Sequence, residues 1–518
     1  MAIIGTLLKK GIRIRESIEQ EYSNPFELQK NELKKLMIHA RHTAFGKYYG
    51  YNRILKSFKS QDPREFYKMY RDMVPVFNYN KIYEEWWHRT REGQTDVTWP
   101  GKIKYYALSS GTSGAASKYL PVTKDMIRAI RKTSIRQILS LSKYDFPDSL
   151  FEKGILMLGG STQLRDMGGF FEGDLSGITT GQIPIWFQRY NKPGQKIARV
   201  RDWNEKLDEI VKEAPKWDIG VLAGNPAWVQ MLMEKIIEHY NVATIHEIWP
   251  NLMIFTHGGV SFEPYRKGFE KLLARPLTYL ETYLASEGYI AFESRPNARS
   301  MRMVLNNGLF YEFVPFTEEN YDEDGQMRAN PTTVMIDEVE EGKEYAILLS
   351  TCSGAWRYEI GDVVKFVNKE DSEIIITGRT KHFLSLCGEH LSVDNMNQAM
   401  KMVMEDMNIT IGEFTVAGVP HETLFAHQWY IGCDEEVNVD ELKLKLDGYL
   451  KELNDDYTME RTSALKDIFV EVLPNNYFMG WLDKNGHIGG QHKFPRVLKG
   501  AKHDDWKAYL NERKGATA

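Results

Sequence analysis

The sequence predicts an α/β protein: a large layered N-terminal α/β domain with a β-rich subdomain, then a small mobile α+β domain at the C-terminus. Three observations carry that expectation. Short apolar runs closed by glycines, each followed by a helical stretch, recur between residues 100 and 290. Strands feeding helices in this way build a layered sheet with ligand loops at the strand ends. Between about 300 and 377 the pattern turns strand-rich, and beyond Arg379 it resets to alternating helices and strands. That last stretch is long enough for a separate small domain. The expected boundaries are 1–380 and 381–518.

Taken in order, residues 26–75 read as helical, with Leu33, Leu36, Met37 and Ile38 at helical spacing. Residues 103–108 (IKYYAL) read as a strand, the loop SSGTSGAASK follows, and a helix is expected over 123–142 with Thr123 as its N-cap. Further strands are expected at 154–158, 217–222 and 252–256, with helices from Pro226 to about Tyr240 and from about Pro264. Strands at 309–314, 345–349, 363–367 and 373–377 suit a barrel-like or sheet subdomain. In the small domain, helices are expected at 395–404 and 439–453, and strands at 414–419, 429–432 and 469–473.

Composition narrows the function classes. The 518 residues are 42% hydrophobic, with 12 Trp, 27 Tyr and 24 Phe, enough to bury a core without disulfides or structural metal. A net charge of −5 from 66 basic and 71 acidic side chains gives no nucleic-acid-binding surface. Lys9, Lys10, Arg13 and Arg15, like Arg128, Arg131, Lys132 and Arg136, fit solvated helix faces. Cys352, Cys387 and Cys433 form no CxxC pair, which argues against disulfide and zinc modules and for a cytoplasmic setting. The apolar stretch around Ile3, Ile4, Leu7 and Leu8 stops by Lys9, too short for a secretory leader, and reads as a helix packed on the body. No window approaches the roughly 20 apolar residues that span a bilayer, so no stable membrane insertion is expected.

Five segments hold residues suited to chemistry. In Ser109, Ser110, Gly111, Thr112, Ser113 and on to Lys118, hydroxyls and glycines follow a strand. Such a loop offers backbone N–H groups and short donors to a phosphate, and the lysine adds a point charge. Alone it also reads as a turn, and it is neither a Walker A loop nor GxGxxG. In Tyr283-Leu284-Ala285-Ser286-Glu287-Gly288, a carboxylate at a strand end suits magnesium on a triphosphate. In Trp356–Val364 (WRYEIGDVV), Asp362 offers an acceptor carboxylate to two ribose hydroxyls. Gly378-Arg379-Thr380-Lys381 lies at the proposed junction, and QHKFPR, with Lys493, lies near the C-terminus. Each of these alone also fits an ordinary turn or basic loop. His246-Glu247 and His421-Glu422 lack the second histidine of HExxH, and no GxSxG elbow occurs, so zinc-protease and serine-hydrolase chemistry lose support.

Together and in order, SSGTSGAASKYLP, YLASEGYI, WRYEIGDVVKF, GRTKHFLSLCGEHLS and QHKFPRVL resemble the adenylate-forming superfamily. More narrowly they resemble the Gretchen Hagen acyl-acid amido synthetases, the auxin-responsive-promoter family of plants with bacterial relatives. The resemblance runs from about residue 100 to 498. It implies an adenylate-forming enzyme fold and a ligase that forms acyl-AMP from ATP, a carboxylic acid and magnesium, then passes the acyl group to an amino acid or other amine. It implies that Ser109–Lys118 wraps the ATP phosphates, that Gly258-Gly259-Val260 lines the adenine, and that Tyr283 flanks the base. Ser286 and Glu287 then face the α-phosphate and its magnesium, Asp362 and Arg379 hold the ribose, Lys381 is the hinge, and Lys493 is the mobile catalytic lysine. The loop ending Ala115-Ala116-Ser117-Lys118 departs from the extra Gly or Pro of many members. The chain is shorter than the plant enzymes, so no hormone specificity is carried over. The acid site is expected partly along the helix 123–142, where Arg131 or Arg136 either meets the substrate carboxylate or, the favoured reading, faces solvent. Transfer to CoA or a carrier thiol, and non-catalytic nucleotide binding, stay open as alternatives. A monomer or weak oligomer is expected.

Overall fold

A computed structural model describes Lys10 and residues 24–109, 118–183, 188–259, 262, 265–322, 325–380, 383–384, 386–389, 391–484 and 494–517. These divide into two compact units. One comprises Met1–Leu108, Tyr119–Asn225 and Leu232–Thr380; the other comprises Ser109–Lys118, Pro226–Met231 and Lys381–Ala518.

The first unit begins with helices α1 (Pro25–Ala40) and α2 (Glu65–Met73), with shorter turns at Ala44–Tyr48 and Tyr51–Ser57 between them. Asn24 caps α1 by accepting the Phe26 N–H at 2.8 Å. Leu33, Leu36 and Met37 are buried, whereas Ile38 is 41% exposed. An i, i+3, i+4 stripe turns inward, and the residue after it faces out.

The strands up to residue 379 are β1 (Tyr105–Ser109), β2 (Lys118–Val122), β3 (Gly154–Leu158), β4 (Arg165–Asp166), β5 (Phe171–Gly173), β6 (Asn191–Lys192), β7 (Ile219–Gly224), β8 (Ile254–Gly258), β9 (Thr278–Ala285), β10 (Gly288–Phe292), β11 (Met301–Met303), β12 (Leu309–Pro315), β13 (Glu344–Thr351), β14 (Tyr358–Asn368) and β15 (Glu373–Arg379). Among the described residues, one sheet has eleven strands in the order β12-β13-β14-β15-β11-β10-β9-β8-β7-β3-β6, and a smaller one runs β2-β1-β5-β4. From β6 to β9 the large sheet is parallel. From β9 to β12 it is antiparallel. The strands of 300–377 therefore extend the same sheet instead of closing a barrel of their own. The chain reverses between β9 and β10, and the antiparallel run β12 to β15 joins the sheet through β15 on β11.

Helix α3 (Lys124–Ser140) starts where expected, and the Thr123 hydroxyl accepts the Met126 N–H at 3.0 Å. Helices α4 (Trp203–Glu213) and α5 (Pro226–Tyr240) follow. The helix expected from about Pro264 is only Arg266–Glu270. Arg128 and Arg131 are exposed on α3, and Arg136 donates to Asn306 Oδ1 at 2.7 Å.

The second unit holds β16 (Phe383–Leu384), β17 (Leu391–Ser392), α6 (Val393–Met407), β18 (Glu413–His421), β19 (Leu424–Gly432), α7 (Val439–Leu453), α8 (Asp455–Thr462), β20 (Leu465–Leu473), α9 (Asn475–Lys484), β21 (Val497–Leu498) and α10 (Ala501–Thr517). Its four-stranded sheet runs β20-β19-β18-β21. Tyr430, Phe478, Trp481, Phe494 and Trp506 build an aromatic core between sheet and helices. A tight cage lies near the start of this unit. The buried Glu389 carboxylate accepts the backbone N–H groups of Leu386 at 2.9 Å, Cys387 at 2.8 Å and Gly388 at 3.2 Å, with His427 Nε2 at 2.9 Å. Burial works to raise its pKa, but His427 and the N–H groups win and hold it below the ordinary glutamate value.

No helix of the described residues is long and apolar enough to cross a membrane. Cys352, Cys387 and Cys433 are all free and buried.

Candidate nucleotide site

The first unit brings three sequence-predicted residues into direct contact. Asp362 on β14 and Arg379 on β15 are register partners of an antiparallel pair. Opposite residues of such a pair stand side by side, so opposite charges meet. Arg379 Nε lies 2.8 Å from Asp362 Oδ1, and its Nη2 donates to the Ile360 carbonyl at 3.2 Å. The other carboxylate oxygen, Oδ2, accepts the Tyr283 hydroxyl at 2.5 Å. Gly361 sits in a bulge of β14 just ahead of Asp362, at φ +87°, in the left-handed region that a side chain resists.

The electrostatics follow from burial. Tyr283 has its pKa pushed well above the usual phenol value, first by burial and then by the Asp362 charge, so it stays a donor. Burial works to lower the Arg379 pKa, but the Asp362 charge outweighs it and the guanidinium stays charged. Among the described residues each carboxylate oxygen has one close partner, which leaves it a lone pair to offer. Two parallel acceptors with a cation behind them suit a vicinal diol.

Ser286 and Glu287 sit half-buried in the turn between β9 and β10. They border a small hollow, with room for little more than a water molecule, whose other walls include Trp87, Pro121, Thr351 and Ser353. The Ser353 hydroxyl is buried and has no hydrogen-bond partner among the described residues. A carboxylate with hydroxyls around it is an oxygen donor set that fits a hard cation such as magnesium. Among the described residues no group of three or more His, Cys, Asp and Glu forms a cation cage of its own. Buried Tyr358 has its phenol pKa raised well above the ordinary value by burial first and the Glu287 charge next.

Gly258 ends β8 against β9, where an added Cβ would come within 2.4 Å of the Thr282 carbonyl. Gly259 follows at φ +86° with open space around it. Ser109 ends β1 and Lys118 begins β2. Ser110, Gly111, Thr112, Ser113, Val260, Lys381 and Lys493 lie outside the described residues.

Sequence reasoning missed Trp87, Thr351 and Ser353 as neighbours of Glu287. Thr351-Cys352-Ser353-Gly354 is a second hydroxyl-and-glycine turn at a strand end, the same signal that drew attention to Ser109–Lys118. It also treated Arg357 only as part of a motif. Arg357 is instead enclosed by Glu312 and by the carbonyls of Arg71 and Val74.

Family profiles match almost the whole length of this scaffold. The GH3 family N-terminal domain matches residues 14–207 and 170–276, the central domain 302–373 and the C-terminal domain 394–502. The chain belongs to the GH3 family. Within it, an Arabidopsis thaliana indole-3-acetic acid-amido synthetase, GH3.4, is 24% identical over 278 residues, which is 49% of this chain and 45% of that protein. The match thus spans under half the length of that GH3 relative. Among solved structures, the GH3.15 acyl acid amido synthetase superposes with a TM-score of 0.57 at 16% identity, covering 99% of this chain and 96% of the other. A 2-hydroxyisobutyryl-CoA ligase, solved with 2-HIB-AMP and CoA, gives 0.58 at 12% identity over 96% and 93%. Both share the fold of this GH3 chain, that of adenylate-forming enzymes.

Proposed function

We propose that this GH3 chain is an ATP-dependent acyl-acid amido synthetase. It joins a carboxylic acid to the α-phosphate of ATP, releasing pyrophosphate, and passes the acyl group to an amino acid or other amine, releasing AMP. The observation that supports this most is the Tyr283–Asp362–Arg379 cluster, a paired acceptor suited to a ribose, in the same unit as Glu287 and its hollow. The name of the Arabidopsis relative supports an amine over a thiol as acceptor.

Roles follow from the chemistry. Asp362 accepts the two ribose hydroxyls, and Arg379 sets a positive charge beside it. The loop Ser109–Lys118 offers N–H groups and hydroxyls to the phosphates, and Gly258-Gly259-Val260 lines the adenine. Ser286 and Glu287 face the α-phosphate, and Glu287 would hold magnesium. When bound there, that ion adds positive charge to phosphate oxygens. A carboxylate attacking a phosphate brings two anions together, so neutralising charge is the main task. Lys493, carried on the C-terminal segment 381–518 that pivots at Lys381, supplies an ammonium group to the α-phosphate. Three free, buried cysteines accord with a cytoplasmic setting.

The test is acid-dependent pyrophosphate exchange by Lys493→Ala. A well-placed donor contributes about a hundred- to a thousandfold in rate, so exchange falls by that much while the fold stays intact. Near-normal exchange would refute the assignment. Mass spectrometry with ATP, an acid panel, and amino acids against CoA decides the acceptor, and only thioester products would end the amide reading.

A further inference from the structure

Tyr283 was expected to offer its ring to the base. Its side chain is 6% exposed and belongs to the main hydrophobic core of the first unit. That leaves little aromatic face for a base to cover. Its polar end is the informative part. The hydroxyl donates to Asp362 Oδ2 at 2.5 Å, while Arg379 Nε faces Oδ1 at 2.8 Å. Tyr283 thus holds Oδ2 by a hydrogen bond, while the Arg379 charge sits beside Oδ1, and the two together set the plane of the carboxylate. With Arg379 alone, the Asp362 side chain would be free to rotate about its last bond and swing one oxygen away. Arg379 is held in turn by the Ile360 carbonyl, and Tyr283 is anchored by β9, so neither clamp moves with the carboxylate.

We propose that Tyr283 is a positioning residue for the ribose: its hydroxyl, acting through Asp362, aims the carboxylate at the two sugar hydroxyls. This rests on Asp362 meeting the ribose, the reading given above. The hydroxyl touches the acceptor and not the nucleotide, so its effect must vanish when the sugar has no hydroxyls to offer.

That requirement makes the test specific. Kd is measured for ATP and for 2′,3′-dideoxy-ATP, both with magnesium, on the wild-type chain, Tyr283→Phe and Asp362→Asn. A hydrogen bond to a charged group is typically worth about tenfold or more. Tyr283→Phe is therefore expected to bind ATP about tenfold more weakly, with dideoxy-ATP affinity within about twofold of wild type. Asp362→Asn should likewise abolish most of the preference for ATP over the dideoxy nucleotide. Loss of both affinities by the same factor in Tyr283→Phe would mean that the ring packs the site or meets the base, and would overturn the proposal. So would unchanged binding of ATP. Should Asp362→Asn keep the wild-type preference, the ribose assignment itself fails and this inference falls with it. Should Asp362→Asn lose the preference while Tyr283→Phe keeps it, only the inference fails.

Discussion

Arg357 and Asp362 stand in one short motif, yet their ion pairs serve opposite ends. Arg357 meets Glu312 through Nε at 2.9 Å and Nη2 at 2.9 Å, and its Nη1 donates to the carbonyls of Arg71 at 3.0 Å and Val74 at 2.7 Å. Those two side chains are 4% and 1% exposed. Tyr67 and Thr333 close the remaining side of this cluster. In the Asp362–Arg379 pair the side chains are 14% and 28% exposed, and the carboxylate keeps acceptor capacity. A pair whose every donor and acceptor is used belongs to the framework. A pair left with unused lone pairs is equipped to meet a ligand.

Substituting the framework arginine should give the largest effect. Removing one partner of a buried ion pair leaves a charge without compensation, which costs about 3–5 kcal/mol. Urea denaturation of Arg357→Met should show a loss of that size in the first unit. A loss below about 1 kcal/mol would show that the pair is not framework.

The same contrast recurs between two carboxylates of the second unit. Glu389 is caged by three N–H groups and His427 and stays ionised. Glu460 has only neutral donors among its described partners, Ser463 at 2.9 Å and Trp228 at 3.2 Å, and burial pushes its pKa up to about 8. Between the ordinary glutamate value and about 8, the folded chain keeps a proton that the unfolded chain has lost. Stability is therefore fully present below that window and falls as pH rises through it. Thermal melts of Glu460→Gln from pH 5 to 7 should lose less stability than wild type, by about 1 kcal/mol per pH unit. Parallel pH profiles would show that Glu460 is charged in the fold.

At the ligand-facing pair the effect should be smaller and of another kind. Asp362→Asn is expected to weaken ATP by about 10- to 100-fold, as for a charged acceptor of two hydroxyls. Its unfolding midpoint should stay near wild type. A large drop in stability without a change in affinity would erase the distinction from Arg357. Gly361→Ala should show the smallest change: its φ of +87° resists a side chain, at a cost of about 1 kcal/mol. Denaturation midpoints measure it, and a neutral result would mean that the bulge adapts.

Much of this architecture is legible in the residues. Helix α7 spans 439–453, as its spacing predicts, because Asn438 caps it and Leu442, Leu446 and Leu450 face the core. Strand β3 coincides with the apolar run 154–158. Strand β14 begins at Tyr358, five residues ahead of the apolar run at 363–367. Gly361 and Asp362 hid it from an alternation rule, and tertiary pairing imposed the extra length. Helices α8, α9 and α10 escaped notice, since α8 follows α7 with Asn454 as its shared cap and α10 is rich in charge. In the site, Asp362 and Arg379 were legible as motif residues. Their cross-strand register was not, because pairing between distant strands leaves no local trace. The burial of Tyr283 was hidden for the same reason.

The place where the large sheet changes from parallel to antiparallel, between β9 and β10, has an evolutionary consequence. Upstream of it, each strand–helix repeat can lengthen its return loop without altering a neighbour's pairing. Downstream, a hairpin pairs Asp362 with Arg379 through two bulges, so their meeting depends on how many residues each strand carries between its turn and the pair. Descendants of this chain should thus diversify by insertion before Ser286 and hold their spacing strictly between Gly361 and Arg379.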